Sequence, residues 1–221
     1  MSIRDDAQAS FRRDTRGHTL KVIHEGGPDG LVRYLRADRD GSSIYHFNIV
    51  TWPGYLSITG DMGSFTFART RDMFDFFGEG RINPGYWSEK LQHPGGSREV
   101  AENFCADKFH AAIRDDLRGW IRDADRDACR AILPIARELL DAYPDSMHDA
   151  MYQIEDQTAI WDREEHGDHP WTEFWDHNCQ GYRYDFLWCC HAITWAVKRY
   201  RQIKEGRTQA EIDHLILTGA A

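Results

Sequence analysis

Long apolar runs are missing from this sequence. The longest, Phe186 to Val197, is interrupted by His191 and Thr194. It is also shorter than the roughly 20 residues a helix needs to cross a bilayer, so it predicts a buried helix and no membrane association. The five cysteines, Cys105, Cys129, Cys179, Cys189 and Cys190, contain no C-x-x-C pair, which removes the common zinc and thiol-redox spacings. Their odd number and apolar helical settings predict reduced thiols in a cytoplasmic protein. The opening residues, Met1-Ser2-Ile3-Arg4-Asp5-Asp6, are too polar for a secretory signal. Glycine-rich dinucleotide loops, phosphate loops and the Gly-x-Ser-x-Gly elbow are absent too, so no cofactor is expected.

Charge of one sign is never concentrated in a block. Lys and Arg number 27 against 36 Asp and Glu, for a net charge of -9, but the signs interleave, as in Arg118 to Asp127. Neither an acidic tail nor a basic arm is present, and neutralisation of duplex phosphates is disfavoured, so duplex nucleic acid is not an expected partner. What the sequence has in excess is rings, with 8 Trp, 9 Tyr and 11 Phe among 221 residues. Rings bury much area per residue and are also enriched at contact surfaces.

Periodicity predicts an α+β fold in a single domain, 1–221, with an antiparallel β-meander packed against a larger helical part. Residues 3–15 place Ile3, Ala7 and Phe11 on one helical face. Between 19 and 69 come five strand-like stretches, 20–23, 31–35, 43–51, 55–59 and 64–69. They are separated by turn chemistry at Gly26-Gly27-Pro28-Asp29-Gly30, Asp40-Gly41, Pro53-Gly54 and Gly60-Asp61-Met62-Gly63. A short helix is expected over 72–77, then a connector over 83–98. From 98 to 217 the pattern is helical, with stripes at Phe109, Ile113 and Leu117, then at Ile132, Ala136 and Leu139. Pro134 predicts a late start or a bend in the second. The longest helix, 182–204, sets Phe186, Cys190, Ile193 and Val197 on one face, and a last short helix is expected over 208–217.

Chemistry-bearing groups are few. Asp61 sits between turn glycines, where a carboxylate can bond nearby backbone N–H groups or be presented as a catalytic acid or ligand. His166, Asp168, His169 and His177 share a loop whose residue types suit a divalent metal, but their spacing matches no standard helical ligand pair. His24 and His46 lie in strands and could form an acid–base pair if those strands meet. Cys189-Cys190-His191 invites a Cys–His reading, which a buried helix would silence.

The stretch Thr51-Trp52-Pro53-Gly54-x-Leu56-x-Ile58-x-Gly60-Asp61-Met62-Gly63-x-x-x-Phe67-x-Arg69, with Asp72-Met73-Phe74-x-Phe76-Phe77 and Tyr86-Trp87-x-Glu89-Lys90-Leu91, resembles a group of uncharacterised proteins of tailed phages and prophages. The resemblance covers about a fifth of the chain. It implies a phage product acting in the bacterial host cytoplasm and implies no reaction. The expectation is an accessory protein that binds a host macromolecule or a signalling ligand, blunting a host defence. Its binding residues are expected among Trp52, Tyr55, Asp61, Met62, Tyr86 and Trp87. The alternative is a small enzyme using Asp61 or the 166–177 loop.

Overall fold

The computed structural model describes residues 3–78, 81–93, 98–163, 167–206 and 211. About 49% of the chain is helical and 24% is strand, which is the expected α+β class. The contacts fall into two compact units, where the sequence reading had one: unit 1 is Met1–Ala101 with Tyr182–Ala221, and unit 2 is Glu102–Gly181.

Unit 1 opens with helix α1 (Ile3–Asp14). Five strands follow, β1 (Thr19–Gly26), β2 (Val32–Arg39), β3 (Ser42–Trp52), β4 (Tyr55–Gly60) and β5 (Gly63–Ala68). They pair antiparallel in chain order as one meander. Because side chains alternate across a strand, the register builds an inner row, Leu35–Ile49–Ile58–Phe65, all buried. The same register builds an outer row, Tyr34–Val50–Ser57–Thr66, all partly or fully exposed.

Helix α8 (Tyr184–Lys204) covers the inner face, with Phe186 against Phe65 and Trp188 against Phe47. Its other side takes Phe11 of α1, and the Trp188 indole N–H donates to Asp14 Oδ2 at 3.2 Å. Phe186, Cys190, Ile193 and Val197 are all buried, as their spacing predicts. Each such side chain contributes about 1.5–3 kcal/mol by leaving water. Short helices α2 (Met73–Phe77) and α3 (Pro84–Ser88) close one end. Asp72 caps α2 by accepting from Phe74 N–H at 2.9 Å, and takes two 2.8 Å bonds from the Arg33 guanidinium. That guanidinium lies 4.5 Å from the Phe74 ring centroid. The Arg33 bonds hold the Asp72 carboxyl below the usual carboxylate range, against the opposing pull of its burial. The connector expected over 83–98 therefore begins as a capped helix, with Pro84 at its first turn and Asn83 Oδ1 accepting from Tyr86 N–H.

Unit 2 contains α5 (Ala106–Trp120), α6 (Arg126–Asp141), α7 (Met147–Arg163) and a single 3-10 turn over Phe174–Asp176. Phe109, Ile113, Ile132, Leu139, Ile154, Trp161, Trp171 and Phe174 make its core. The late start is not what happens in α6. It begins well before Pro134 because Asp125 Oδ1 accepts from both Asp127 and Ala128 N–H, so Pro134 lies inside the helix. One element was not anticipated. Strands β6 (Glu102–Phe104) and β7 (Gln180–Tyr182) form a two-stranded sheet where helix and loop were expected. Between them run α5 to α7 and the 3-10 turn, and α4 (Arg98–Ala101) lies just before β6. Apart from residue 211, the helix expected over 208–217 lies outside the described residues. Among the described residues no helix is long and apolar enough to cross a membrane.

Candidate functional site

The six residues expected to bind do not form one cluster. Trp52 and Tyr55 face each other across the Pro53-Gly54 turn, on the outer side of the sheet. Their rings stack at 5.2 Å between centroids with 13° between planes, and each residue is 38% exposed. The turn that sets them is fastened on both sides. Gly54 adopts φ +87°, where a side chain would be strained. Its N–H donates to Arg71 O at 2.9 Å, and its carbonyl accepts from Arg69 N–H at 3.2 Å. A stacked pair on a doubly bonded turn keeps its face in place without ordering at the moment of contact.

The row continues across the sheet. Tyr55 pairs with Ala68, and Ala68 N–H donates to Lys90 O at 2.9 Å. Leu91 bridges Phe67 and is buried with it, so Lys90 turns to the outer side. Lys90 Nζ sits 4.4 Å from the Tyr86 ring centroid and 3.2 Å from Glu89 Oε2. The exposed Tyr86 thus belongs to the same end of the sheet as Trp52 and Tyr55. Trp87 does not: it is buried, edge-on to Phe77 at 4.7 Å. The outer face beside this row is hydroxyl-rich, with Thr66 Oγ1 donating to Ser57 Oγ at 3.1 Å and Tyr34 OH to Asn48 Oδ1 at 3.3 Å.

Asp61 and Met62 lie at the opposite end of β4, about 20 Å along the strand from Tyr55 at roughly 3.3 Å per residue. Met62 packs against the unit 1 core, and its carbonyl oxygen accepts from the Cys189 thiol at 3.7 Å. Asp61 does not bond its own turn as its flanking glycines suggested. Its Oδ2 accepts from Tyr45 N–H at 2.6 Å, in β3, and its Oδ1 lies 2.9 Å from His46 Nδ1. His46 Nδ1 is also 2.7 Å from Ser43 O, so one proton on Nδ1 serves both acceptors. Tyr45 is the one non-glycine residue with positive φ among the described residues, at 59°, a conformation that needs a local partner to persist. The Asp61 carboxylate is that partner. Gly60, unlike Gly63 at the other end of the turn, does not take positive φ. A Cβ there would stand 2.2 Å from His46 O, so the strands approach too closely for a side chain.

His24 does not meet His46, since β1 and β3 are separated by β2. The 166–177 loop serves the unit 2 fold. Asp168 O accepts from the Trp120 indole, His169 Nδ1 accepts from Trp171 N–H, and His177 Nε2 lies 2.8 Å from Asp116; His166 lies outside the described residues. No group of three or more His, Cys, Asp or Glu residues comes together among the described residues. The five cysteines are unpaired. Burial pushes the Cys189 and Cys190 thiols far up and the neighbouring His191 down to about 4, so this trio is uncharged at neutral pH. Burial likewise raises the Asp116 carboxyl, against the pull of His177.

Charge is divided between the units. Unit 2 holds 19 Asp and Glu against 8 Lys and Arg, a net of -11, whereas unit 1 holds 17 against 19, a net of +2. The acidity of the whole chain is therefore unit 2's alone. No family model, curated protein or solved structure matches the chain.

Proposed function

We propose that this chain is a phage-encoded accessory protein that works by binding, in the bacterial host cytoplasm, and that its recognition surface is the Trp52–Tyr55–Lys90–Tyr86 end of the outer sheet face. The observation that carries the reading is the Trp52–Tyr55 stack. Two large rings are held open to solvent on a turn whose only backbone amide and carbonyl at Gly54 are both bonded. Rigid aromatic anchors of this kind dominate recognition energetics. The wording of the Thr51–Arg69 motif supports the phage origin, and a target in the host, a macromolecule or a signalling ligand tied to defence, follows from that origin. In the test, wild-type protein and Trp52→Ala are used as baits in bacterial lysate. Trp52→Ala should keep its unfolding temperature and lose the captured component. Equal capture by both would remove the platform from the function.

One contact favours a second reading. His46 Nδ1 beside Asp61 is a carboxylate–imidazole pair, the arrangement that orients a general base. An enzyme built on it requires Asp61→Asn to fold normally and to lose all biological activity in a phage-fitness assay. The binding reading requires that variant to remain active.

A further inference from the structure

Resting on that reading, we propose that the occupant of the Trp52–Tyr55 platform is single-stranded nucleic acid. Three features select this chemistry. First, the surface offers flat rings without an aliphatic patch around them. Next to Trp52 and Tyr55 stand Ser57, Thr66 and Ala68, with Val50 as the one exposed aliphatic neighbour on the outer row. A protein partner's buried centre draws on contiguous apolar area, whereas an unpaired base needs one ring face to stack on and polar groups at its edge.

Second, cations stand at the same end of the sheet. Lys90 lies in the same row, and Arg69 and Arg71 flank Gly54 through their backbone bonds. Arg71 is paired with Asp29 and Lys90 with Glu89, but no hydrogen bond or ion pair engages the exposed Arg69 guanidinium among the described residues. Third, the acidity that argued against duplex nucleic acid belongs to unit 2, while the unit that carries the platform is weakly basic. Two or three cations with stacking rings suit a single strand. A duplex hides its ring faces and is held chiefly through phosphates, which needs a far denser basic surface.

The strand would lie across the outer face with one base stacked on the Trp52–Tyr55 pair and a neighbouring phosphate within reach of the cations at this end of the sheet. Base–aromatic stacking tolerates every base, so recognition would be broad in sequence.

The test is fluorescence anisotropy of a labelled single-stranded oligonucleotide of mixed sequence, about 15 nucleotides long, with the full-length protein. Wild type should bind, with an affinity that falls as salt rises. Trp52→Ala and Tyr55→Ala should each weaken binding about tenfold or more. Trp52→Phe, which keeps a ring, should retain most of it. Arg69→Gln and Lys90→Gln should each reduce the salt slope by about 0.7. The same sequence as a duplex should bind far more weakly, and a mononucleotide should compete only at much higher concentration. Absence of binding by wild type overturns the proposal, as does equal binding of folded Trp52→Ala and Tyr55→Ala, or equal affinity for the duplex. A mononucleotide that competes as well as the strand overturns it in favour of a small ligand. If the oligonucleotide is ignored while Trp52→Ala still loses a protein captured from lysate, the nucleic-acid proposal fails and the binding surface stands.

Discussion

The two units build their cores from similar side chains yet treat charge in opposite ways. In unit 1, ion pairs tie elements far apart in the chain: Arg33 of β2 to the Asp72 cap of α2, and Lys204 at the end of α8 to Glu25 of β1. In unit 2, Arg118–Asp115 and Arg130–Asp127 are exposed pairs within single helices, and such pairs contribute little to stability. Its described long-range pair is His177 with Asp116, which neutralises charge only when the imidazole is protonated. The net charge of the chain thus describes one unit and misrepresents the other. A partner argued from the total of -9 is a partner for unit 2, while the aromatic platform stands on unit 1, at +2.

The comparison breaks most readily at the cores. Ile193→Ala in unit 1 and Ile154→Ala in unit 2 each remove a buried side chain and should each cost about 2–5 kcal/mol in urea unfolding. A loss below about 1 kcal/mol at either position would show that the unit concerned does not depend on the core assigned to it.

Next in size is the Arg33–Asp72 clamp, for which unit 2 has no counterpart among its described helix-local Arg–Asp pairs. Asp72→Ala deletes a cap and strands a mostly buried guanidinium, at a cost of about 3 kcal/mol. Because the folded-state carboxyl is depressed, its contribution is fully present above the unfolded value near 3.9 and is lost as pH falls through the folded value below it. Asp72→Asn should therefore flatten the acid limb of stability measured below about pH 4. An unchanged acid limb would mean that the pair is not formed in solution.

Smaller effects separate the glycines of the motif. Gly60→Ala should cost at least about 1–3 kcal/mol, because the obstruction is backbone. Gly54→Ala meets open space and suffers only its positive φ, about 1 kcal/mol. The reverse order would place the strain at the wrong turn.

Legibility follows the same division. Five strands, their turns and the α8 stripe could be read from unit 1's residues, because alternation, Pro-Gly and Asp-Gly turns and a 3.6-residue period all act locally. The partner of Asp61 could not, since it is supplied by a strand 16 residues earlier in the chain. Nor could the reason for Gly60, which is the close approach of a neighbouring strand. Tyr86 and Trp87 are adjacent in sequence, and only the direction of the capped α3 turn decides that one is exposed and the other buried. In unit 2, β6 and β7 are three residues each, too short to carry a period. The boundary at Ala101 and Tyr182 lacks linker composition, so the charge division stayed hidden inside a single total.

In the proposed function Trp52 acts at the surface while Asp61 acts in the fold. The most direct measurement sets Trp52→Ala and Asp61→Asn side by side, each assayed for thermal unfolding and for retention of the component that wild type captures from bacterial lysate. Trp52→Ala should unfold within about 1 kcal/mol of wild type, the worth of one ring pair, and lose capture, while Asp61→Asn keeps capture. Capture retained by a folded Trp52→Ala, or abolished in a folded Asp61→Asn, would contradict it.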